Sequence, residues 1–154
     1  AMRFAAADVR RMGRQATGVR GIRLREGDEV VSLDAVDDGK TLFIATANGF
    51  GKRCEFKDFT RHSRGGQGMI GIKGADRNGA VVAAHAVSDD ESIIAMTSDQ
   101  MMVRSRVADF QVQSRLARGV RLVRLNEGAT LVSVSVCESA EEPAAEPPAS
   151  PEAQ

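Results

Sequence analysis

Apolar side chains along this chain fall in short runs and never in long stripes. Val30 to Val36, Val81 to Val87 and Leu131 to Val136 are β-branched-rich segments bounded by Gly, Asp and Asn, and they predict strands. The pairs Phe43-Ile44 with Lys52-Arg53, and Ile93-Ile94 with Val103-Arg104, flank Asn48-Gly49 and Ser98-Asp99, which predicts two hairpins. No apolar stripe at helical spacing is long enough to predict a core helix.

The same elements recur. Aligning Asp8, Asp58 and Asp109 places Gly18, Gly68 and Gly119 ten residues downstream each time, at periods of 50 and then 51 residues. In that frame "VVSLDAV", "VVAAHAV" and "LVSVSVC" coincide, and "TLFIATANGFGKRCEFKDF" matches "SIIAMTSDQMMVRSRVADF". Periods of ~40 to 50 residues with several short strands per unit mark propeller-like arrays, whereas common helical repeats run near ~33. The expected fold class is therefore all-β, with a domain over 1–137 and repeats near 4–55, 56–106 and 107–137. The third unit stops after "LVSVSVC", so the array is expected to be truncated or completed by other chain. Residues 138–154 carry four prolines, five acids and no large apolar residue, and are expected to form a disordered tail.

Composition narrows the chemistry. The 154 residues are 42% hydrophobic and 27% charged, enough for one folded domain. Six Phe, no Trp and no Tyr leave a core of Val, Ile, Leu, Met and Ala, and remove tyrosine from any catalytic role. Two cysteines, Cys54 and Cys137, make neither a thiol array for zinc nor a disulfide scaffold, which fits a reducing compartment. With no apolar run near the ~20 residues of a membrane span and no signal-peptide core, the expected location is the cytoplasm, away from membranes.

The formal net charge of zero conceals a sorted distribution. Twenty of the 21 Lys and Arg fall in residues 1–27, 50–77 and 102–125, and only Lys40 lies outside. Residues 1–137 hold 21 bases against 16 acids, a net of +5, because five acids belong to the terminal stretch. Local potential, not average pI, governs association with polyanions. The bases also keep phase with the repeats. Arg3, Arg53 and Arg104 lie five before the phase Asp; Arg14, Arg64 and Arg115 lie six after it; Arg23, Lys73 and Arg124 lie fifteen after it. Equivalent positions on successive blades would form a basic track suited to a phosphate backbone, with Arg20, Lys52 and Arg121 as secondary candidates. The competing reading is a set of solvated strand edges that block aggregation.

Other candidates are weaker. Gly65, Gly66 and Gly68 beside Arg64 allow close approach of main-chain donors to an anion, or simply make a tight turn. His85 alternates with apolar neighbours and reads as an outward or satisfied strand residue. His62 beside Ser63, with Cys54 upstream, lacks an orienting third group for nucleophilic catalysis. No catalytic residue and no metal ligand is expected.

The phrases "MGRQATGVRGIRLREGDEVVSL", "NGFGKRCEFKDFTRHSRGGQGMIGIK", "DRNGAVVAAHAV" and "GVRLVRLNEGATLVSV" resemble the later repeats of the DNA gyrase C-terminal domain family, which belongs to the A subunit of that enzyme. The resemblance covers residues 2 to about 137. It implies a β-pinwheel, a propeller-like disc whose blades exchange strands and whose basic perimeter bends and wraps double-stranded DNA. It further implies partners in gyrase B and in the remainder of the gyrase A subunit, with ATP and Mg used by the full enzyme and no cofactor in this chain. Residues 62–68, "HSRGGQG", keep Arg64, Gly65, Gly66 and Gly68 of the family's heptapeptide wrapping motif and depart from it at His62, Ser63 and Gln67. The family's strand cleavage uses a tyrosine, which this chain lacks. The alternatives are the related C-terminal domain of topoisomerase IV and a β-repeat scaffold that pairs exposed strand edges with a protein partner. The acidic tail is expected to compete with DNA for the basic rim.

Overall fold

The computed structural model describes residues 1–37 and 39–138. Its fold is all-β, built from two antiparallel sheets stacked as successive blades. The first sheet has the order β3-β1-β2-β6, from β1 (Thr41–Thr46), β2 (Phe50–Glu55), β3 (Val81–Val87) and β6 (Val120–Arg121). The second has the order β5-β4-β7, from β4 (Glu91–Thr97), β5 (Met102–Arg106) and β7 (Leu131–Glu138). The expected hairpins form as read: Phe43 opposes Arg53 and Ile44 opposes Lys52, and Ile94 opposes Arg104. The only α-helix described is a single turn, α1 (Ala75–Asn78), carried by an extra residue in the second repeat. The stretch expected as a tail enters β7 at Glu138, and 139–154 lie outside the described residues.

One expected strand is absent. Val30–Val36 forms no strand, and Val30 and Leu33 are 61% and 86% exposed. The reason lies in how the repeats exchange strands. β3 pairs with β1 and β7 with β4, so each strand of this type pairs with a hairpin earlier in the sequence. Among the described residues no such hairpin precedes residue 30. Local β propensity without a neighbouring edge leaves backbone groups to water.

Alternation along the strands fills the space between blades. Phe43, Ala45, Ala83 and Val87 of the first sheet share one core with Ile93, Ala95 and Val134 of the second. Val107, Phe110, Leu122 and Val123 close that core, with Phe110 edge-on to Phe43 at 5.1 Å between ring centroids. Residues of opposite phase, Ile44 and Cys54, turn the other way and pack with Phe59. The phase glycines sit where the chain returns against the preceding repeat. Gly68 and Gly119 adopt φ of +76° and +77°, and a Cβ there would lie 2.5 Å from the Ala1 oxygen and 2.6 Å from the Gly51 oxygen. Only glycine permits that contact.

Buried cations tie repeat to repeat. Arg53 is 5% exposed, and its Nε donates to Thr41 Oγ1 at 2.9 Å. Its Nη1 reaches the Val107 and Phe110 carbonyls at 3.1 and 3.2 Å, and its Nη2 pairs with Asp89. Arg3 makes the corresponding bond one repeat earlier, from Nη1 to the Phe56 carbonyl at 2.9 Å. Phe56 and Val107 each open the 3-10 turn that carries the phase Asp. Arg64 reaches back to the Asp8 and Arg20 carbonyls, both at 3.1 Å, and Arg115 repeats this on Asp58 and Ile70 at 3.1 and 2.7 Å. These bonds fix why two of the three rows of bases recur.

Removing the Arg53 side chain strands two buried carbonyls, and Arg53→Ala is expected to cost about 3 kcal/mol in urea denaturation. Arg53→Lys should recover little, because an ammonium lacks the fork, whereas Arg124→Ala on the exposed surface should change stability by less than about 0.5 kcal/mol. Burial pushes the Cys54 thiol up to about 11 from 9.0, against the partial relief of the Lys52 charge. The unfolded thiol ionises first, so this stabilising contribution, complete below pH 9, is lost as pH rises through 9 toward about 11. Urea midpoints should therefore fall more steeply over that window for the natural chain than for Cys54→Ala. A thiol reagent should label the half-buried Cys137 rapidly and Cys54 only on unfolding.

Candidate nucleic-acid interface

The in-phase bases divide by environment. Arg23, Lys73 and Arg124 are exposed, and among the described residues their side chains have no hydrogen-bond or carboxylate partner. Their main chains are equivalently placed: the Arg23 N–H bonds to the Gly66 carbonyl at 2.7 Å and the Lys73 N–H to the Ala117 carbonyl at 3.4 Å. Arg23 and Lys73 therefore leave the seam between one repeat and the next at the same point, and Arg124 holds the equivalent sequence position in the third repeat. Arg20 and Arg121, also equivalent, are exposed, as is Arg14. Arg64 and Arg115 are half-buried clamps that use Nε and Nη1 on carbonyls.

Two candidates leave the surface altogether. Lys52 is 0% exposed, and its ammonium is held by the carbonyls of Ser114 at 3.0 Å, Ala117 at 3.3 Å and Arg115. Burial depresses its pKa first, with Arg115 adding to the effect and Cys54 and Asp58 opposing it. Arg53 is likewise buried, so neither side chain offers a donor to an external phosphate. Arg3 is partly buried on Phe56, and Arg104 lies exposed with Nη2 on the Glu138 carbonyl at 2.8 Å. The glycine-rich loop is engaged in part, with Gly66 and Gly68 exposed. The Gly65 N–H is taken by the Gly21 carbonyl at 2.6 Å, and a Cβ on Gly66 would press on Met2 at 3.3 Å.

Arg77 and Arg118 join this surface although they fall out of phase. Arg77 Nη2 donates to the Arg118 and Gly119 carbonyls at 2.6 and 3.2 Å, and its guanidinium stacks on Phe50 at 4.2 Å, with Arg121 5.2 Å from the same ring. The available signal was spacing: Gly68 to Val81 is one residue longer than Gly18 to Val30, and α1 with Arg77 fills the difference.

The surface is cationic because its bases are not neutralised. The ion pairs among the described residues include Lys40 with Glu91, Arg53 with Asp89 and Arg106 with Asp109, and the His85 ring lies 3.9 Å from Asp34. Only Arg53 of the nine in-phase bases has a carboxylate partner among them. Among the described residues no nucleophile and base converge: Cys54 is buried on the Leu42 carbonyl, His62 is exposed, and His85 Nε2 meets the Val134 carbonyl at 2.9 Å. No cluster of three potential metal ligands occurs, and no helix is long and apolar enough to cross a membrane, among the described residues.

The family model described as DNA gyrase C-terminal domain, beta-propeller, matches residues 1–37, 40–88 and 91–138. The DNA gyrase A subunit of Chlamydia pneumoniae is 43% identical over 142 residues, covering 92% of this chain and 17% of that protein. Its counterpart in Aminobacterium colombiense is 40% identical over 136 residues, covering 88% of this chain and again 17% of the relative. The chain thus spans about a sixth of the length of these relatives. A solved DNA gyrase A C-terminal domain superposes with a TM-score of 0.78 at 34% identity, covering 86% of this chain and 45% of that one. The C-terminal domain of DNA topoisomerase IV superposes at 0.80 with 23% identity over 88% of this chain and 42% of that one, a likeness of fold. The repeats, the blade stacking and these matches agree, and the chain belongs to the DNA gyrase C-terminal domain family.

Proposed function

We propose that this chain binds the backbone of double-stranded DNA and bends it along a basic perimeter, as a non-catalytic module of a gyrase A subunit. The observation that carries this reading is the row of Arg23, Lys73 and Arg124, exposed and unpaired at equivalent points of successive repeats. Arg14, Arg20, Arg118 and Arg121 extend it, and Arg64 and Arg115 support it through the donors that their clamps leave open. Neutralising phosphates releases condensed counterions, a favourable term independent of base sequence. Bendability of the duplex would then set preference among sequences.

In the full protein this module would present wrapped DNA to a strand-passage core containing gyrase B, with ATP and Mg used there, in the cytoplasm. Cleavage chemistry belongs elsewhere in such a protein, since this chain contains no tyrosine. Gyrase is preferred over topoisomerase IV because the gyrase domain is the nearer in sequence of the two compared structures.

Log affinity for a duplex should fall with log salt at a slope of about −4 to −5. Replacing Arg23, Lys73 and Arg124 together by Ala should make the slope shallower by about 2 to 3 and leave the urea midpoint nearly unchanged. Fluorescence anisotropy across a salt series measures this. A slope near zero in the natural chain, together with self-association in sedimentation without DNA, would replace this reading with a protein scaffold using the exposed β5 edge.

A further inference from the structure

The seam between the second and third repeats gathers bases that the seam before it lacks. The Arg23 N–H meets the Gly66 carbonyl and the Lys73 N–H the Ala117 carbonyl, so residues 67 and 70 at the first seam correspond to 118 and 121 at the second. Gln67 and Ile70 stand at the first; Arg118 and Arg121, both exposed, stand at the second. The turn beside each seam differs in the same sense. Residues 25–29 of the first repeat set Arg25 against Glu26, Asp28 and Glu29, whereas α1 of the second repeat sets Arg77 against Asp76 alone. Arg64 on the Asp8 carbonyl and Arg115 on the Asp58 carbonyl are common to both seams and do not alter the contrast. Lys73, Arg77, Arg118 and Arg121 thus share one seam, and none of the four pairs with a carboxylate among the described residues.

Main-chain bonds and one phenyl ring hold this cluster in place. Arg77 Nη2 donates to the Arg118 and Gly119 carbonyls, and its Nε donates to Asn78 Oδ1 at 2.9 Å. Asn78 is 1% exposed, and its Nδ2 reaches the Lys73 and Arg118 carbonyls, both at 2.9 Å. The single helical turn thereby fixes the chain that carries Arg118 and Arg121. Phe50 opposes Arg121 across the β2–β6 pair, and the Arg77 and Arg121 guanidiniums lie over its ring at 4.2 and 5.2 Å. Stacking uses the flat face of a guanidinium and leaves the N–H donors in its plane available. Arg77 Nη1 and the Arg118 and Arg121 forks meet no acceptor among the described residues. Two like charges over one ring, with no carboxylate paired to either, concentrate positive potential that an arriving anion relieves.

We infer that the cluster of Arg77, Arg118 and Arg121 is the principal phosphodiester site of this chain, and that Phe50 is the positioning residue that stacks two of its guanidiniums. The duplex is then gripped unevenly, with its strongest contact at the seam of the second and third repeats. The inference rests on the DNA-binding reading above, and its test separates the two.

The test removes equal charge at the two seams and follows binding of the whole chain to a short duplex by fluorescence anisotropy. Arg118→Ala with Arg121→Ala should weaken binding about tenfold or more, the scale of a charge-assisted contact, whereas Arg23→Ala with Arg25→Ala should weaken it about threefold or less. Phe50→Met installs the residue type of the equivalent position 101 and alters no charge. It should weaken binding about threefold in the natural chain and leave it unchanged once Arg77 and Arg121 are both Ala. A merely structural Phe50 would lower the urea midpoint and weaken binding alike in both backgrounds. Equal losses at the two seams overturn the principal site. A Phe50→Met effect that persists without Arg77 and Arg121, or that is missing from the natural chain, overturns the positioning role. DNA binding stands in each of those cases, whereas a natural chain that does not bind the duplex overturns that reading as well. The comparison of seams uses exposed side chains and decides the site even if Phe50→Met does not fold.

Discussion

Guanidinium groups reaching across a repeat boundary into main-chain carbonyls are the constraint on which the rest of this structure depends. A blade of a few short strands cannot bury its own two faces, so it must be fixed against its neighbours. Apolar packing supplies most of the favourable free energy but little direction. Arg53 supplies direction, because its planar fork reaches Thr41, Val107 and Phe110 together; Arg115 spans the same boundary in the other direction, and Arg3 and Arg64 repeat the device at the preceding one. Carbonyl acceptors explain how this is done in a chain with few internal ion pairs among the described residues. The guanidinium stays charged at any working pH, and its charge is not cancelled by the dipoles it satisfies.

That last point links architecture to function. Had the same arginines been paired with carboxylates, the body of the disc would be close to neutral. Arg3, Arg64 and Arg115 take carbonyls and so leave positive charge at the seams, whereas Arg53 is also paired with Asp89, and the exposed Arg23 and Lys73 leave the same seams on the outside. Assembly and polyanion attraction therefore draw on one distribution of charge. Lys52 carries the economy furthest, since a buried ammonium shapes the loop whose outer side faces solvent.

Much of the fold was legible in the sequence. Periodicity in Asp8, Asp58 and Asp109 announced the repeats, and Asn48-Gly49 and Ser98-Asp99 marked the turns of both hairpins. Val30–Val36 misled because strand formation depends on an available edge as well as on β-branched side chains. The site was harder to read. Phase shows that a base matters to every repeat, yet clamping a seam and meeting a ligand both generate phase. Only burial and acceptor geometry separate Arg53 from Arg124, and neither is encoded locally. Gly65, Gly66 and Gly68 show the same ambiguity, since the Ala1, Met2 and Gly21 atoms beside them give the glycines a packing role of their own.

The most direct measurement of this division of labour is arginine modification by phenylglyoxal, mapped by mass spectrometry with and without bound duplex. The account predicts ready modification of Arg23 and Arg124 in the free chain, protection of both by DNA, and an unmodified Arg53 in either state. Ready modification of Arg53 that DNA suppresses, or equal modification of Arg23 and Arg124 with and without DNA, would contradict it.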